Sequence, residues 1–225
     1  MSWFTNAMSS SIGKKVLMAL TGLFLVTFLI VHLSGNLQLL LNDGGKAFNI
    51  YAKFMTTNPV IKATSYLLYA TFIVHIVWAL IITVGNKKAR PTGYAVQPGN
   101  VSSTWSSKNM GLLGTIILVF LVIHLKQFWY EMHWGGIPTA NYDGMEYNDL
   151  YAVVNVAFHE LWYVVLYTIS MMALMFHLNH GFKSAFQSLG ANHPKYNPLI
   201  KGVGFIIAIV IPALFAAIPI IMYMK

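Results

Sequence analysis

Five apolar runs dominate this chain, and each is long enough to cross the hydrocarbon core of a bilayer, which takes about 20 residues of helix. They are Val16 to Leu41, Ile61 to Gly85, Met110 to Tyr130, Tyr151 to Phe182 and Leu199 to Met224. Lipid offers the backbone no hydrogen bonds, so runs of this length and composition must be helical. Only 9% of the 225 residues are charged and 57% are hydrophobic, which excludes a soluble domain. Residues 1–225 therefore read as one unit, an all-α integral membrane bundle of five transmembrane helices. The fourth run exceeds a simple crossing, and its start is expected to project from the bilayer. Lys14 and Lys15 precede the first run as they would in a signal peptide. That run outlasts an h-region of about 7–15 residues and no A-x-A-like site follows, so it is expected to stay in the mature protein.

Charge sets the expected orientation. With five crossings, the N-terminus, the Asn86 to Asn109 loop and the Lys183 to Pro198 loop share one side, and they carry Lys14, Lys15, Lys87, Lys88, Arg90, Lys108, Lys183 and Lys195. The positive-inside rule makes that side the cytoplasm. The acids Asp43, Glu131, Asp143, Glu146, Asp149 and Glu160 all fall on or near the other side, where Trp129, Tyr130, Trp134, Trp162 and Tyr163 form part of an aromatic belt. Topology and an anionic inner leaflet account for the net charge of +8, without a nucleic-acid partner. The chain has no cysteine, so it supplies neither disulfides nor the thiolates of an iron–sulfur cluster.

Four histidines, His32, His75, His124 and His177, lie one in each of the first four runs. A strongly polar side chain at that depth needs a dedicated partner, and imidazole is a good iron ligand. Helices one and three run outward, placing His32 about 24 Å and His124 about 21 Å along them at 1.5 Å per residue. Helices two and four run inward, leaving His75 about 15 Å and His177 about 9 Å from their inner ends. The depths match in two pairs, His32 with His124 and His75 with His177, as two stacked haems with paired imidazole ligands require. The expected fold is thus a bundle whose first four helices enclose two haems, with those histidines as axial ligands to iron. His180 lies three positions after His177 and is an alternative fourth ligand. Gly22, Ser34, Gly35 and Gly181 suit either clearance for a porphyrin or close helix packing.

Other polar residues carry less information. His133, His159 and His193 fall at the boundary or in a loop, where solvation is the default. Lys126 and Glu160 either serve a quinone or proton path or reach interfacial water. Helix five, with Pro212 and Pro219, reads as a kinked scaffold helix outside the haem core. A transporter using histidine for protons or metal is a rival of a different class, but the chain shows no clear inverted repeat and few intramembrane carboxylates.

The segments Leu29-Ile30-Val31-His32-Leu33, Val74-His75-Ile76-Val77-Trp78, Leu121-Val122-Ile123-His124 and Phe176-His177, followed by Gly181, carry a family resemblance in their order and helix placement. The chain resembles the five-helix dihaem cytochrome b anchor of succinate dehydrogenase and fumarate reductase, the single-anchor type that includes the b558 group. The resemblance implies two b haems, His32 with His124 at the distal one and His75 with His177 at the proximal one. It further implies a bacterial inner-membrane location in a respiratory chain linked to the tricarboxylic acid cycle. Expected partners are a flavoprotein subunit, which interconverts succinate and fumarate, and an iron–sulfur subunit on the basic cytoplasmic loops. Electrons would pass between that subunit and a membrane quinone, with menaquinone the expected one, and this chain would do no dicarboxylate chemistry. Membrane lipid surrounds it, and a dimer of the complex is compatible with the sequence. Anchors of hydrogenase or formate dehydrogenase would carry haem in the same way and differ in the partner.

Overall fold

The computed structural model describes residue 6, residues 10–89 and residues 104–225. Arg90, counted above among the basic loop residues, lies outside the described residues. Of the described residues 83% are helical, so the fold is all-α, and among them five helices are long and apolar enough to span a membrane. α1 (Ser11–Asn36) runs on through a 3-10 turn at Leu37–Leu40. α2 (Lys46–Thr57) precedes the second span, α3 (Pro59–Ala89). A short α4 (Trp105–Lys108) leads into α5 (Met110–His124), which continues as a π-helical turn at Leu125–Tyr130 and α6 (Glu131–Trp134). Strands β1 (Thr139–Tyr142) and β2 (Met145–Asn148) pair antiparallel, then come α7 (Leu150–Phe158), α8 (Leu161–Ser188) and α9 (Asn197–Met224).

Local chemistry explains the boundaries. The Ser10 hydroxyl accepts from Gly13 N, so α1 starts ahead of Val16 and takes Lys14 and Lys15 into its first turns. The Asn58 side chain accepts from Val60 N and Ile61 N, and Pro59 occupies the first position of α3, where a missing N–H costs nothing. The run Tyr151 to Phe182 is not one helix. It breaks at His159 and Glu160 into α7 and α8, so the part expected to project is a separate helix packed against α2 and α9. α9 stays helical through Pro212 and Pro219, both fully buried.

Around the bundle, α1 packs on α3, α3 meets α5, α5 packs on α8, and α8 packs on α1. α1 and α5 therefore face each other across one diagonal, and α3 and α8 across the other. α9 lies outside this square against α8 and α1. Packing is uneven: α8 buries nine residues, whereas α3 buries only Thr71 and α5 only Leu113. Two apolar clusters hold the tight side. One joins Leu33, Phe128, Phe158, Tyr167 and Ile211, and the other joins Val26, Met171, Leu174, Phe182 and Ala208. The exposed face of α3, with Leu67, Ile73, Val77, Leu80 and Val84, has the composition that lipid requires.

The ends of α1 and α5 that carry α2 and the hairpin form a polar cap. Asp143 and Gly144 both take positive φ, the two-residue turn that matches strand twist. Asn49, fully buried, donates to Tyr142 Oη and Asp149 Oδ1 and accepts from Tyr151 N. Lys46 pairs with Asp143 at 2.8 Å, and this partner raises the Lys46 pKa. Lys53 donates to Glu146 O and lies over the Tyr147 ring. All six acids gather at this end, and they or their backbone hold Lys46, Lys53 and Lys126. Asn49→Leu removes three partly buried hydrogen bonds and is expected to destabilise the cap by about 1–3 kcal/mol. Thermal unfolding in detergent and proteolysis within residues 139–148 check this, with helical content unchanged.

Candidate functional site

Each of the four deep histidines is fixed by a different wall of the square. His32 of α1 and His124, the last residue of α5, face each other across one diagonal with ring centroids 5.7 Å apart. His75 of α3 and His177 of α8 meet across the other at 6.5 Å. The pairs expected from depth alone are thus the pairs that the fold brings together. His180 is not beside His75; it lines a polar cleft of about 190 Å³ with Thr104, Ser106, Asn179, Lys183 and Gln187.

Glycines mark the layer of the second pair. A Cβ on Gly22 of α1 would lie 3.6 Å from His75 Cε1, and one on Gly114 of α5 would lie 4.0 Å from His177 Cε1. Gly22 is ten positions before His32 and Gly114 is ten before His124, so the two layers lie roughly 15 Å apart along each helix. α1 and α5, which present imidazole at the first level, thus each place a glycine beside an imidazole of the second. Gly181 also opens onto free space. Gly35 serves packing instead, since a Cβ there would come within 2.3 Å of the Tyr51 ring. Ser34 bonds its own helix at Val31 O.

The imidazoles have distinct partners. His75 Nδ1 is 3.1 Å from Thr21 Oγ1, and His124 Nδ1 is 3.1 Å from Tyr167 Oη. His32 stacks on Phe28 at 5.1 Å, touches Phe215 of α9 at 5.6 Å, and has the Asn36 amide 3.4 Å from both ring nitrogens. Phe215 makes α9 part of the wall behind His32, not merely a scaffold outside it. His177 Nδ1 is buried and has no hydrogen-bond partner. A buried donor or acceptor in that state costs about 1–3 kcal/mol, so it fits a ring whose other nitrogen is put to use. All four histidines are only half-buried by the chain itself, on the loosely packed side between α3 and α5.

His124 sits where α5 changes into its π-helical turn, a distortion frequent at functional sites. Beyond it, Tyr163 Oη donates to Gln127 Oε1 and Trp129 Nε1 donates to Tyr69 Oη. Lys126 pairs with Glu131 and lies over Tyr130, and both Lys126 and Glu160 are exposed. His133 and His159 are exposed and donate to the carbonyls of Trp129 and Asn155, and His193 accepts from Lys195 N.

Sequence reasoning missed Thr21, Tyr167, Gly114 and Phe215. Only Gly114 left a signal, the ten-residue spacing to His124 that repeats Gly22 to His32. Among the described residues no three histidine or acidic side chains converge as a metal-binding group. The donor sets are pairs of imidazoles, which suits a metal whose other positions are filled by a planar macrocycle. Two imidazoles that share one metal at roughly 2 Å per bond would have ring centroids about 6 Å apart. The separations of 5.7 and 6.5 Å bracket that value. The residues present therefore fit haem. No family model, curated protein or solved structure matches the chain.

Proposed function

We propose that this chain is a membrane-anchor cytochrome b of a succinate:quinone oxidoreductase, the succinate dehydrogenase and fumarate reductase class, with two b haems. The observation that carries the haem reading is the crossed pair of diagonals. Imidazoles face each other at two levels, and glycines keep the helix walls clear beside one of them. His32 with His124 and His75 with His177 would be the axial ligands. Bound haem would supply one-electron transfer. The chain's own part is to hold two such groups in layers roughly 15 Å apart along the helices, in a low dielectric, each oriented by its imidazoles.

The assignment to succinate:quinone oxidoreductase rests on the resemblance of the four histidine segments and their order. In this reading a flavoprotein and an iron–sulfur subunit cover the basic end, and a quinone, menaquinone by the same resemblance, exchanges electrons within the membrane. The basic end would face the cytoplasm of a bacterial inner membrane. The Lys46, Lys53 and Lys126 contacts at the acidic end support that orientation, because these cations are partnered within the chain.

A reduced-minus-oxidised spectrum with a pyridine haemochrome count is expected to give two b haems per chain. His32→Ala and His75→Ala are each expected to lose one. Absence of haem from the wild-type chain overturns the reading, and the co-purifying dehydrogenase decides between succinate and the hydrogenase or formate classes. The chain has no cysteine, so single-cysteine variants report orientation directly. Met145→Cys is expected to react with a membrane-impermeant maleimide on intact cells stripped of their outer envelope, and Asn192→Cys only after lysis. The reverse pattern would invert the topology.

A further inference from the structure

We infer that Thr21 is a positioning residue that fixes His75 as an Nε2 ligand. The inference rests on the haem reading above and deepens it at one named hydroxyl. Thr21 is buried on α1, beside Gly22 and across from α3. Its Oγ1 lies 2.8 Å from Leu17 O and 3.1 Å from Met18 O, both pure acceptors. The single hydroxyl proton is therefore committed to its own helix, as threonine in a helix commonly arranges. What the oxygen has left is a lone pair. The contact to His75 Nδ1 at 3.1 Å then has one polarity: Nδ1–H donates and Thr21 Oγ1 accepts.

The consequence is a defined tautomer. With its proton on Nδ1, a neutral imidazole keeps its lone pair on Nε2, the only nitrogen then able to bind a metal. Thr21 is β-branched and stiff at χ1, and its hydroxyl is anchored to the backbone, so the acceptor does not wander. Gly22, next in the chain, leaves His75 Cε1 its room at 3.6 Å. The dipeptide Thr21-Gly22 thus seats His75 from the neighbouring helix, the threonine accepting from Nδ1 and the glycine clearing the adjoining Cε1.

No other deep histidine is held in this way. Tyr167 Oη has no second acceptor that would commit its proton, so its bond to His124 runs in either direction. His177 Nδ1 has no partner, and the Asn36 amide stands equally far from both nitrogens of His32. An outer hydrogen bond of this kind raises the basicity of a ligating imidazole and favours the more positive metal. Losing it is expected to favour the reduced iron at the His75 and His177 layer alone.

The test compares Thr21→Val with Thr21→Ser in the full membrane protein, purified with whatever subunits accompany it. Haem content and an optical redox titration are the readouts. Thr21→Ser, which keeps the hydroxyl, is expected to match the wild type. Thr21→Val is expected to retain two haems and raise one of the two potentials while leaving the other in place. The expected size is about tenfold in the ferric-to-ferrous ratio, which is about 59 mV for a one-electron couple. Loss of one haem in Thr21→Val but not in Thr21→Ser also supports the role, because the two variants differ in the hydroxyl. Unchanged potentials in Thr21→Val, loss of both haems, or identical behaviour of the two variants overturns it while leaving the haem reading intact. A wild-type chain without haem overturns both.

Discussion

In the core of a bilayer no water completes a hydrogen bond, so the backbone must pair with itself and a buried imidazole needs a use for each nitrogen. The first demand is met by five long helices. The second shapes how they assemble. Four imidazoles are drawn to the middle of a square of helices, where each can face another, and the lipid side is left to leucine, isoleucine and valine. Thr21 and Tyr167 then engage two of the rings from neighbouring helices.

That arrangement explains why the packing is lopsided. α1, α8 and α9 interdigitate around Val26, Leu174, Tyr167 and Ala208 and form the dense wall. α3 and α5 carry histidines that meet partners across diagonals, so little of either helix is buried by its neighbours. Glycine does the complementary work. At Gly22 and Gly114 it leaves room beside an imidazole, whereas at Gly35 and Gly204 it lets the rings of Tyr51 and Phe182 settle onto the helix. The same residue type thus serves two physical ends, decided by what faces it.

The cap at the hairpin end meets a different demand. On the side where the acids gather, Lys46 and Lys126 pair with carboxylates, and Lys53 and Lys225 donate to carbonyl oxygens. Asn49 ties α2, the hairpin and α7 into one unit through its side-chain amide. The break at His159 and Glu160 belongs to this cap. A hydropathy reading sees one run from Tyr151 to Phe182, because apolar composition does not distinguish residues facing lipid in α8 from those packed in α7.

The sequence by itself determined the number of long apolar helices and how far along its run each histidine lies. Those follow from composition and from a rise per residue that is the same in any α-helix. His32 and His124, or His75 and His177, can therefore be matched by counting. It could not determine which helices stand side by side and which stand across, nor that Thr21 reaches His75 over 54 residues and Tyr167 reaches His124 over 43. Counting fixes position along an axis, but rotation about it and the choice of neighbour are settled only when side chains from distant segments pack. Phe215 beside His32 and Gly114 beside His177 became visible only with that packing. The tertiary structure decided the diagonals because two imidazoles, a hydroxyl and a glycine from separate helices must share one small volume.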